Sequence, residues 1–376
     1  MSKWEMVRLG DVATYVNGFA FKPADWSNKG IPIIRIQNLT GTSDVVNYYD
    51  KKYSTKYEIN NGDVLISWSA SLGVYEWKKG KALLNQHIFK VVFDKLVLDK
   101  RFFVFVIAEK LREMSSLVHG STMKHITKKY FDRIEIQLPP LESQKKIATA
   151  LDSANALIEK RKEQIEKLDL LIKSQFIEMF GDPVTNPKGW SVNSLAQHLK
   201  VIGGYTFKST GYTMTGIPVL RIGNINTGTL TLNDLVYWTY TESLERYFIY
   251  PGDLVMSLTG TVGKDDYANV CVLPAFFDRY YLNQRNAKLN IFGDLSNMYL
   301  LYLLRNKEIK KKLTGISRGI RQANISNSDI LSLNVPIPPL SLQNQFAEFV
   351  EKVEAQKALL QKSLADMEQN YQSLLQ

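Results

Sequence analysis

A chain of 376 residues, 45% of them hydrophobic, is long enough for two domains of ordinary size plus connecting helices. Its formal net charge of +10 and pI of about 9.3 favour a polyanionic partner, of which nucleic acid is the commonest. The one cysteine, Cys271, excludes an intramolecular disulfide framework and a multi-cysteine metal site, and suits a small apolar residue near a strand in a reducing compartment. The first residues hold no apolar h-region and no run reaches the length of a membrane span, so a cytoplasmic chain with no membrane role is expected.

In chain order, Trp4 to Leu9 gives way to a Gly-aromatic segment, Gly18-Phe-Ala-Phe-Lys22. Gly30-Ile-Pro-Ile-Ile-Arg-Ile-Gln-Asn38 alternates like a strand, and Asn61-Gly-Asp-Val-Leu-Ile-Ser67 reads as a turn feeding a β-branched strand. Asn85-Gln-His-Ile-Phe89 follows, then a predicted helix over 99–117, a polar loop at Gly120, and Ile134-Glu-Ile-Gln-Leu-Pro-Pro-Leu141.

The same order then recurs. Trp190 answers Trp4, Gly204-Tyr-Thr-Phe-Lys208 answers Gly18 to Lys22, and Gly216-Ile-Pro-Val-Leu-Arg-Ile-Gly-Asn224 answers residues 30–38, all at an offset of 186 (218 − 32). Gly252 to Ser257 matches Gly62 to Ser67 at 190, Asn283-Gln284 matches Asn85-Gln86 at 198, and Pro338-Pro-Leu340 matches Pro139 to Leu141 at 199. The offset only grows, by insertions where loops are expected, so the chain is a duplicated module.

Between the copies lies a helix-period stripe: Ile147, Leu151, Ala154, Ile158, Ile165, Leu168, Ile172 and Met179, broken by Arg161 and Gln175. Adding 199 gives Phe346, Val350, Val353, Lys357, Leu360, Leu364, Met367, Tyr371 and Leu374, so the C-terminal stretch is a second copy and the seam partner of the first. Pro139-Pro140 and Pro338-Pro339 set the two helix entries, while Gly181 and Pro183 end the first helix. The predicted fold is α+β: two tandem mixed α/β modules over 1–140 and 182–339, with helices 141–181 and 340–376 taken as an antiparallel coiled coil, parallel pairing needing a connection as long as the helix, which the second module could supply. The internal repeat then has pseudo-two-fold character.

A DNA-modifying enzyme would need a site of its own. An amino-methyltransferase would show an amide or acid before Pro-Pro-aromatic, and neither Gln137-Leu-Pro-Pro140 nor Pro336-Ile-Pro-Pro339 does. A metal-dependent nuclease can be built on Asp63, Glu76 and Lys78, the alternative function kept open at this point. Its second copy keeps Asp253 but continues as Lys264-Asp-Asp-Tyr267, so Gly-Asp reads better as a strand-initiating turn. Gly260-Thr-Val-Gly-Lys264 lacks the first Gly and closing Ser/Thr of a phosphate loop. The histidines (His87, His119, His125, His198) show no ligand spacing with carboxylates beyond a cluster at 119–125, so no catalytic residue, metal or bound cofactor is expected.

What remains is polar and basic character in corresponding loops. Module one offers Ser67, Trp68, Lys78, Lys79, His87, Ser121, Lys124 and His125 as DNA contacts. Module two offers Lys264, Arg279, Arg285, Arg318, Arg321 and Gln322. Arg and Lys reach guanine edges and Asn and Gln pair with adenine, and all of these also hold phosphates. Asn85-Gln86 and Asn283-Gln284 are equally explicable as structural, because both copies keep them while readout should differ between copies.

These residues together resemble the specificity subunit of type I restriction-modification enzymes over essentially the whole chain. The resemblance rests on Trp-x-x-x-x-Leu (Trp4 to Leu9, Trp190 to Leu195), Gly-Ile-Pro-x-x-Arg-Ile, Gly-Asp-x-x-x-Ser and Asn-Gln. It also rests on Leu138-Pro-Pro-Leu-Glu-Ser-Gln144, Ile337-Pro-Pro-Leu-Ser-Leu-Gln343, Met179-Phe-Gly-Asp-Pro183 and Asn186-Pro-Lys-Gly-Trp190. The usual Glu before Gln is Ser143 and Leu342 here. The resemblance implies a non-catalytic reader of double-stranded DNA, each module binding half of a bipartite, asymmetric site. The helices would act as ruler and dock for two methyltransferase subunits, which methylate adenine with S-adenosylmethionine. Motor-nuclease subunits would join them, with ATP and Mg on the partners. The stripe from Ile147 to Met179 covers about 33 residues, or about 50 Å at 1.5 Å per residue, against about 34–36 Å for one DNA turn.

Overall fold

The computed structural model describes residues 4–117, 126–315 and 322–375. In module one, Glu5–Arg8 pairs antiparallel with Glu135–Leu138; in module two Ser191–Ser194 pairs the same way with Asn334–Ile337. Each ladder joins the start of a module to the strand just before its long helix.

Inside that closure each module carries two four-stranded sheets in matching order. The first sheet of module one runs Thr14–Asn17, Ile88–Val92, Val64–Ser67, Gly73–Glu76; that of module two runs Leu199–Gly203, Asn286–Ile291, Leu254–Ser257, Val270–Val272. The second sheets run Asn47–Tyr49, Ile31–Ile34, Ala82–Leu84, Glu58–Ile59 and Val236–Trp238, Ile217–Leu220, Tyr280–Leu282, Phe248–Ile249. Strands Ile31–Ile34 and Ile217–Leu220 pair parallel with Ala82–Leu84 and Tyr280–Leu282, and their other pairings are antiparallel. Pro32 and Pro218 fall where pairing is one-sided, because the parallel partner joins only at Ile33 and Val219, so the missing N–H breaks no ladder.

The repeated motifs turn out to be devices of this sheet packing. Gly18 and Gly204 lie so close to the neighbouring chain that an added Cβ would sit 2.0 Å from the Asn85 carbonyl oxygen and 2.3 Å from that of Asn283. The Gln86 and Gln284 N–H groups then donate to Phe19 and Tyr205 carbonyls at 2.8 and 2.9 Å. Gly-aromatic and Asn-Gln are therefore two halves of one backbone contact. Gly62 and Gly252 adopt φ of +85° and +88°, and the carboxylates that follow them accept backbone N–H groups of Asn60 and Tyr250, each at 2.8 Å.

The central helix, Leu141–Phe180, has 40 residues, and the C-terminal helix, Leu340–Leu375, has 36. The chain forms two compact units, residues 1–162 with 362–376 and residues 163–361, so each unit takes part of both helices. In the second unit Phe176 meets Phe346 at 5.5 Å between ring centroids, while Asp169 pairs with Lys357. Rising numbers on one helix meet falling numbers on the other, an antiparallel pairing. In the first unit Lys162 bridges Glu368 at 3.3 Å, and Asp152 and Arg112 lie near the half-buried Tyr371, whose hydroxyl pKa burial raises.

Along the stripes Leu151, Ile158, Ile172, Phe346, Val350 and Val353 are buried. Ile147, Ile165, Leu168, Leu360, Leu364 and Met367 are half-buried, and Leu374 is exposed. The second unit has a further anchor: Phe176 and Phe180 are buried and pack on Tyr299 at 5.6 and 4.8 Å. Burying each such ring contributes about 1.5–3 kcal/mol, which ties the end of the central helix to the core of that unit.

Candidate nucleic-acid interface

The Gly-Asp positions come first, because they decide between enzyme and reader. Asp63 sits beside Lys90 at 3.1 Å and Asp253 beside Lys288 at 2.7 Å, each pair linking the turn to the neighbouring strand. With backbone N–H groups also donated to them, both carboxylates are occupied by the fold. Glu76 pairs with Lys78 at 3.3 Å, both side chains largely exposed. Glu76 borders a cleft of about 120 Å³ shared with Lys100, Arg101 and Asp152, where Arg101 bridges Asp152 at 2.7 Å. Among the described residues no three His, Cys, Asp or Glu side chains come together as a metal site. Asp63, Glu76 and Lys78 are thus distributed between a turn and a surface pair, which disfavours the nuclease reading.

The other sequence candidates fall into three groups. Ser67 is fully buried, and its hydroxyl donates to the Ser71 carbonyl. It closes a strand end, as Ser257 does against Asn269, so a direct DNA contact from Ser67 is corrected to a structural role. Ser121, Lys124, His125, Arg318 and Arg321 lie outside the described residues, and of Gln322 only the backbone is described, in a short strand pairing Thr259–Thr261. Gly260 thus lies in a strand paired with distant residues 322–324, and a turn follows in which the Lys264 N–H donates to the Thr261 carbonyl at 3.0 Å, with Gly263 at φ +78°.

The third group is on the surface. Lys79, Lys264, Arg279 and Arg285 are exposed. Arg279 lies over the Phe248 ring at 5.0 Å. His87 adopts φ +73° and meets Trp68 edge-on at 4.9 Å, with Trp68 stacked on Phe89 at 5.6 Å. The left-handed turn lifts His87 out of the ladder and sets it against the half-exposed indole.

Module two also has a cavity of about 520 Å³ whose walls include Arg221, Arg285, Gln284, Tyr212 and Phe207. Of these, the sequence offers Arg285 as a DNA contact and Gln284 as either a contact or a structural residue. Arg221 belongs to Gly-Ile-Pro-x-x-Arg-Ile, and its presence in both copies was the available signal. Asn224, the second residue of that motif to line the cavity, is spent on the fold: it accepts the Arg221 N–H at 3.0 Å and donates to the Thr231 carbonyl at 3.1 Å. Such a cavity, with guanidinium groups, amides and ring faces beside Thr231 and Asp234, presents donors suited to phosphate or base edges.

The comparisons with known proteins agree with this geometry. The family model described as type I restriction modification DNA specificity domain matches residues 1–167 and again 187–369, once for each copy of the module. The MjaVIII specificity subunit of a type I restriction enzyme from Methanocaldococcus jannaschii is 24% identical, over 93% of this chain and 86% of its own length. The EcoBI specificity subunit from Escherichia coli is 22% identical, over 96% and 81%. Among solved structures, a chain from work on complex assembly and conformational transition of the type I R-M system superposes with a TM-score of 0.63 at 17% identity, covering 99% of this chain and 96% of that one. The S subunit from M. genitalium gives 0.57 at 14%, covering 99% and 95%, so the fold is shared well beyond sequence similarity. With a family model that accounts for both modules and carboxylates committed to turns, the chain belongs to the type I restriction-modification DNA specificity family.

Proposed function

We propose that this chain is the sequence-reading subunit of a type I restriction-modification complex, with each module reading one half of a bipartite, asymmetric DNA site. The observation that carries this reading is the pair of equivalent sheet frameworks bearing unlike loops: exposed Lys78 and Lys79 with half-buried His87 on one, exposed Lys264, Arg279 and Arg285 on the other. A shared framework with different loop chemistry is what two half-sites of different sequence require. Residues 1–140 and 182–339 act as readers, and 141–181 with 340–376 as the spacer.

The central helix, at 40 residues, is about 60 Å long at 1.5 Å per residue, enough for a one-turn separation of about 34–36 Å with length to spare. Leu157, Leu170, Ile177 and Leu359 are 44–70% exposed on the two helices, apolar surface suited to docking two methyltransferase subunits. Methylation and cleavage then belong to partner subunits, and the assembly works in the cytoplasm on cellular DNA. No helix among the described residues is long and apolar enough to cross a membrane.

The test is co-expression with the cognate methyltransferase, followed by mapping methylated adenines genome-wide. A two-part asymmetric site with a fixed spacer is expected. A single contiguous site, or Mg-dependent cleavage by the isolated chain that Glu76→Ala abolishes, would overturn the reading.

A further inference from the structure

Both modules carry the same run of cations and aromatic rings, and neither run belongs to the candidate readers. In module one Lys56 lies 5.1 Å over Tyr57, Tyr57 meets Phe19 at 5.3 Å, and Phe19 meets Phe21 at 4.9 Å. In module two Arg246 lies 4.8 Å over Tyr247, Tyr247 meets Tyr205 at 5.3 Å, and Tyr205 meets Phe207 at 5.0 Å. Lys56 and Arg246 are exposed.

A second cation–ring pair recurs in each copy, and in module two Trp238 connects it to the run, meeting Phe207 at 5.1 Å and Tyr212 at 6.2 Å. Arg35 lies 5.1 Å over Trp26, and Arg221 lies 5.8 Å over Tyr212; both rings sit at equivalent places in the repeat. One arm of each guanidinium is held by the fold: Arg35 Nη2 donates to Asn47 Oδ1 at 2.9 Å, and Arg221 Nη2 donates to the Asp234 carbonyl. The Nε atoms of Arg35 and Arg221 are buried with no hydrogen-bond partner among the described residues. Protein groups alone thus leave both guanidinium groups short of their donor capacity, at equivalent positions. In module two Arg221 and Phe207 both line the cavity of about 520 Å³.

The logic of a duplicated reader separates the two kinds of contact. Loops that differ between copies can carry different bases; groups that both copies present in one geometry cannot, and fit a ligand feature common to every sequence. On DNA that feature is the phosphate backbone. Stacking on a ring fixes a guanidinium plane in advance, so less side-chain freedom is lost when it engages an anion.

We propose that Arg35 with Lys56, and Arg221 with Arg246, are sequence-independent phosphate anchors that set each module's register on the duplex. This rests on the DNA-reading function proposed above and assigns the division of labour within it.

The experiment uses the full chain in complex with its methyltransferase subunits and two duplexes, one with the mapped site and one with that site scrambled. Affinity is measured across a salt series. Lys56→Ala and Arg246→Ala, both at exposed positions, are expected to weaken binding to both duplexes by the same factor. Each should flatten the plot of log affinity against log salt by about 0.9 for every phosphate no longer neutralised, with the methylated sequence unchanged. Arg221→Lys keeps the charge and should keep the slope, whereas Arg221→Ala should lose it, and melting curves of each variant show whether the module remains folded. Unchanged affinity and slope for folded Lys56→Ala and Arg246→Ala overturns the proposal, as does an altered methylated sequence. A wild-type complex that binds both duplexes equally and methylates no defined site sinks the reading of function itself, an outcome distinct from any of these.

Discussion

Gln343 Oε1 accepts the backbone N–H of Ser296 at 2.8 Å, while Gln343 Nε2 donates to the carbonyls of Pro338 and Asp294 at 2.8 and 2.9 Å. Gln144 repeats this, accepting from Asp99 N–H at 2.9 Å and donating to the Pro139 carbonyl at 2.7 Å. One buried amide in each copy therefore clamps the entry of a long helix to the start of the helix beside it, Lys100–Leu117 or Asn297–Arg305. Gln343→Ala is expected to destabilise the chain by about 1–3 kcal/mol for each buried group left unpaired. Gln343→Glu, which sets a buried carboxylate oxygen against the Pro338 and Asp294 carbonyls, should cost at least as much as Gln343→Ala. Urea unfolding of the three proteins checks the order; equal midpoints would show that the clamp contributes nothing.

Lys357 stands where the seam repeat asks for an apolar side chain, and it is held there by Asp169 of the central helix and by Glu354 at 3.8 Å. Its side chain is 17% exposed and that of Asp169 45%, so Asp169 stays hydrated when its partner is removed. A half-exposed pair contributes about 0–1 kcal/mol, and Lys357→Leu restores the stripe, so stability should stay level or rise by about 1 kcal/mol. A single polar seam position more often fixes register than adds stability. The same variant should accordingly lose uniformity of spacer length in methylation mapping while melting no lower than wild type. A lower melting temperature with an unaltered spacer would reverse that assignment.

The repeat and both helices were legible because they are periodic: a growing offset and a three-four spacing survive without knowledge of contacts. Phe176 and Phe180 escaped because, beyond Ile172, the buried face follows steps of four, the straight-helix drift that a seven-residue repeat does not track. Ser67 misled because a hydroxyl at a strand end looks the same in sequence whether it faces solvent or the chain returning at Ser71. The reason for Gly18 and Gly204 lay in a carbonyl more than sixty residues away, which no local pattern reports. Arg35 and Arg221 were visible only as motif letters, since stacking on Trp26 and Tyr212 is a tertiary fact.

The Asp253–Lys288 pair tests whether Gly-Asp is structural. Both side chains are about 80% buried, and Asp253 also accepts the Tyr250 N–H. Asp253→Ala should cost on the order of 2–3 kcal/mol, below the about 3–5 kcal/mol of breaking a fully buried pair, and Asp63→Ala should behave alike in module one. Glu76→Ala, at a side chain 49% exposed, should stay within about 0.5 kcal/mol of wild type. Chemical denaturation of the three variants decides it. Unaltered stability in both Asp variants would return those carboxylates to the pool of functional groups.

Burial pushes the Cys271 thiol and the Tyr302 hydroxyl each up to about 12, with nearby Arg305 acting in the opposite sense on both. Both groups are neutral acids in the fold whose ionisation is harder there than in the unfolded chain, where about 8.5 and 10 are ordinary. The stabilisation is therefore complete below pH 8 and is lost as pH rises from those ordinary values toward 12, by at most about 1.4 kcal/mol per pH unit for each group. Cys271→Ala removes one contributor and should shallow the fall between about pH 8 and 9, where tyrosine is still largely protonated in the unfolded state. In the folded chain Cys271 should also resist thiol reagents at pH 8 and react fully after denaturation. Rapid labelling of the folded protein, or identical pH slopes for wild type and variant, would show that the thiol is not held neutral by the strands around it.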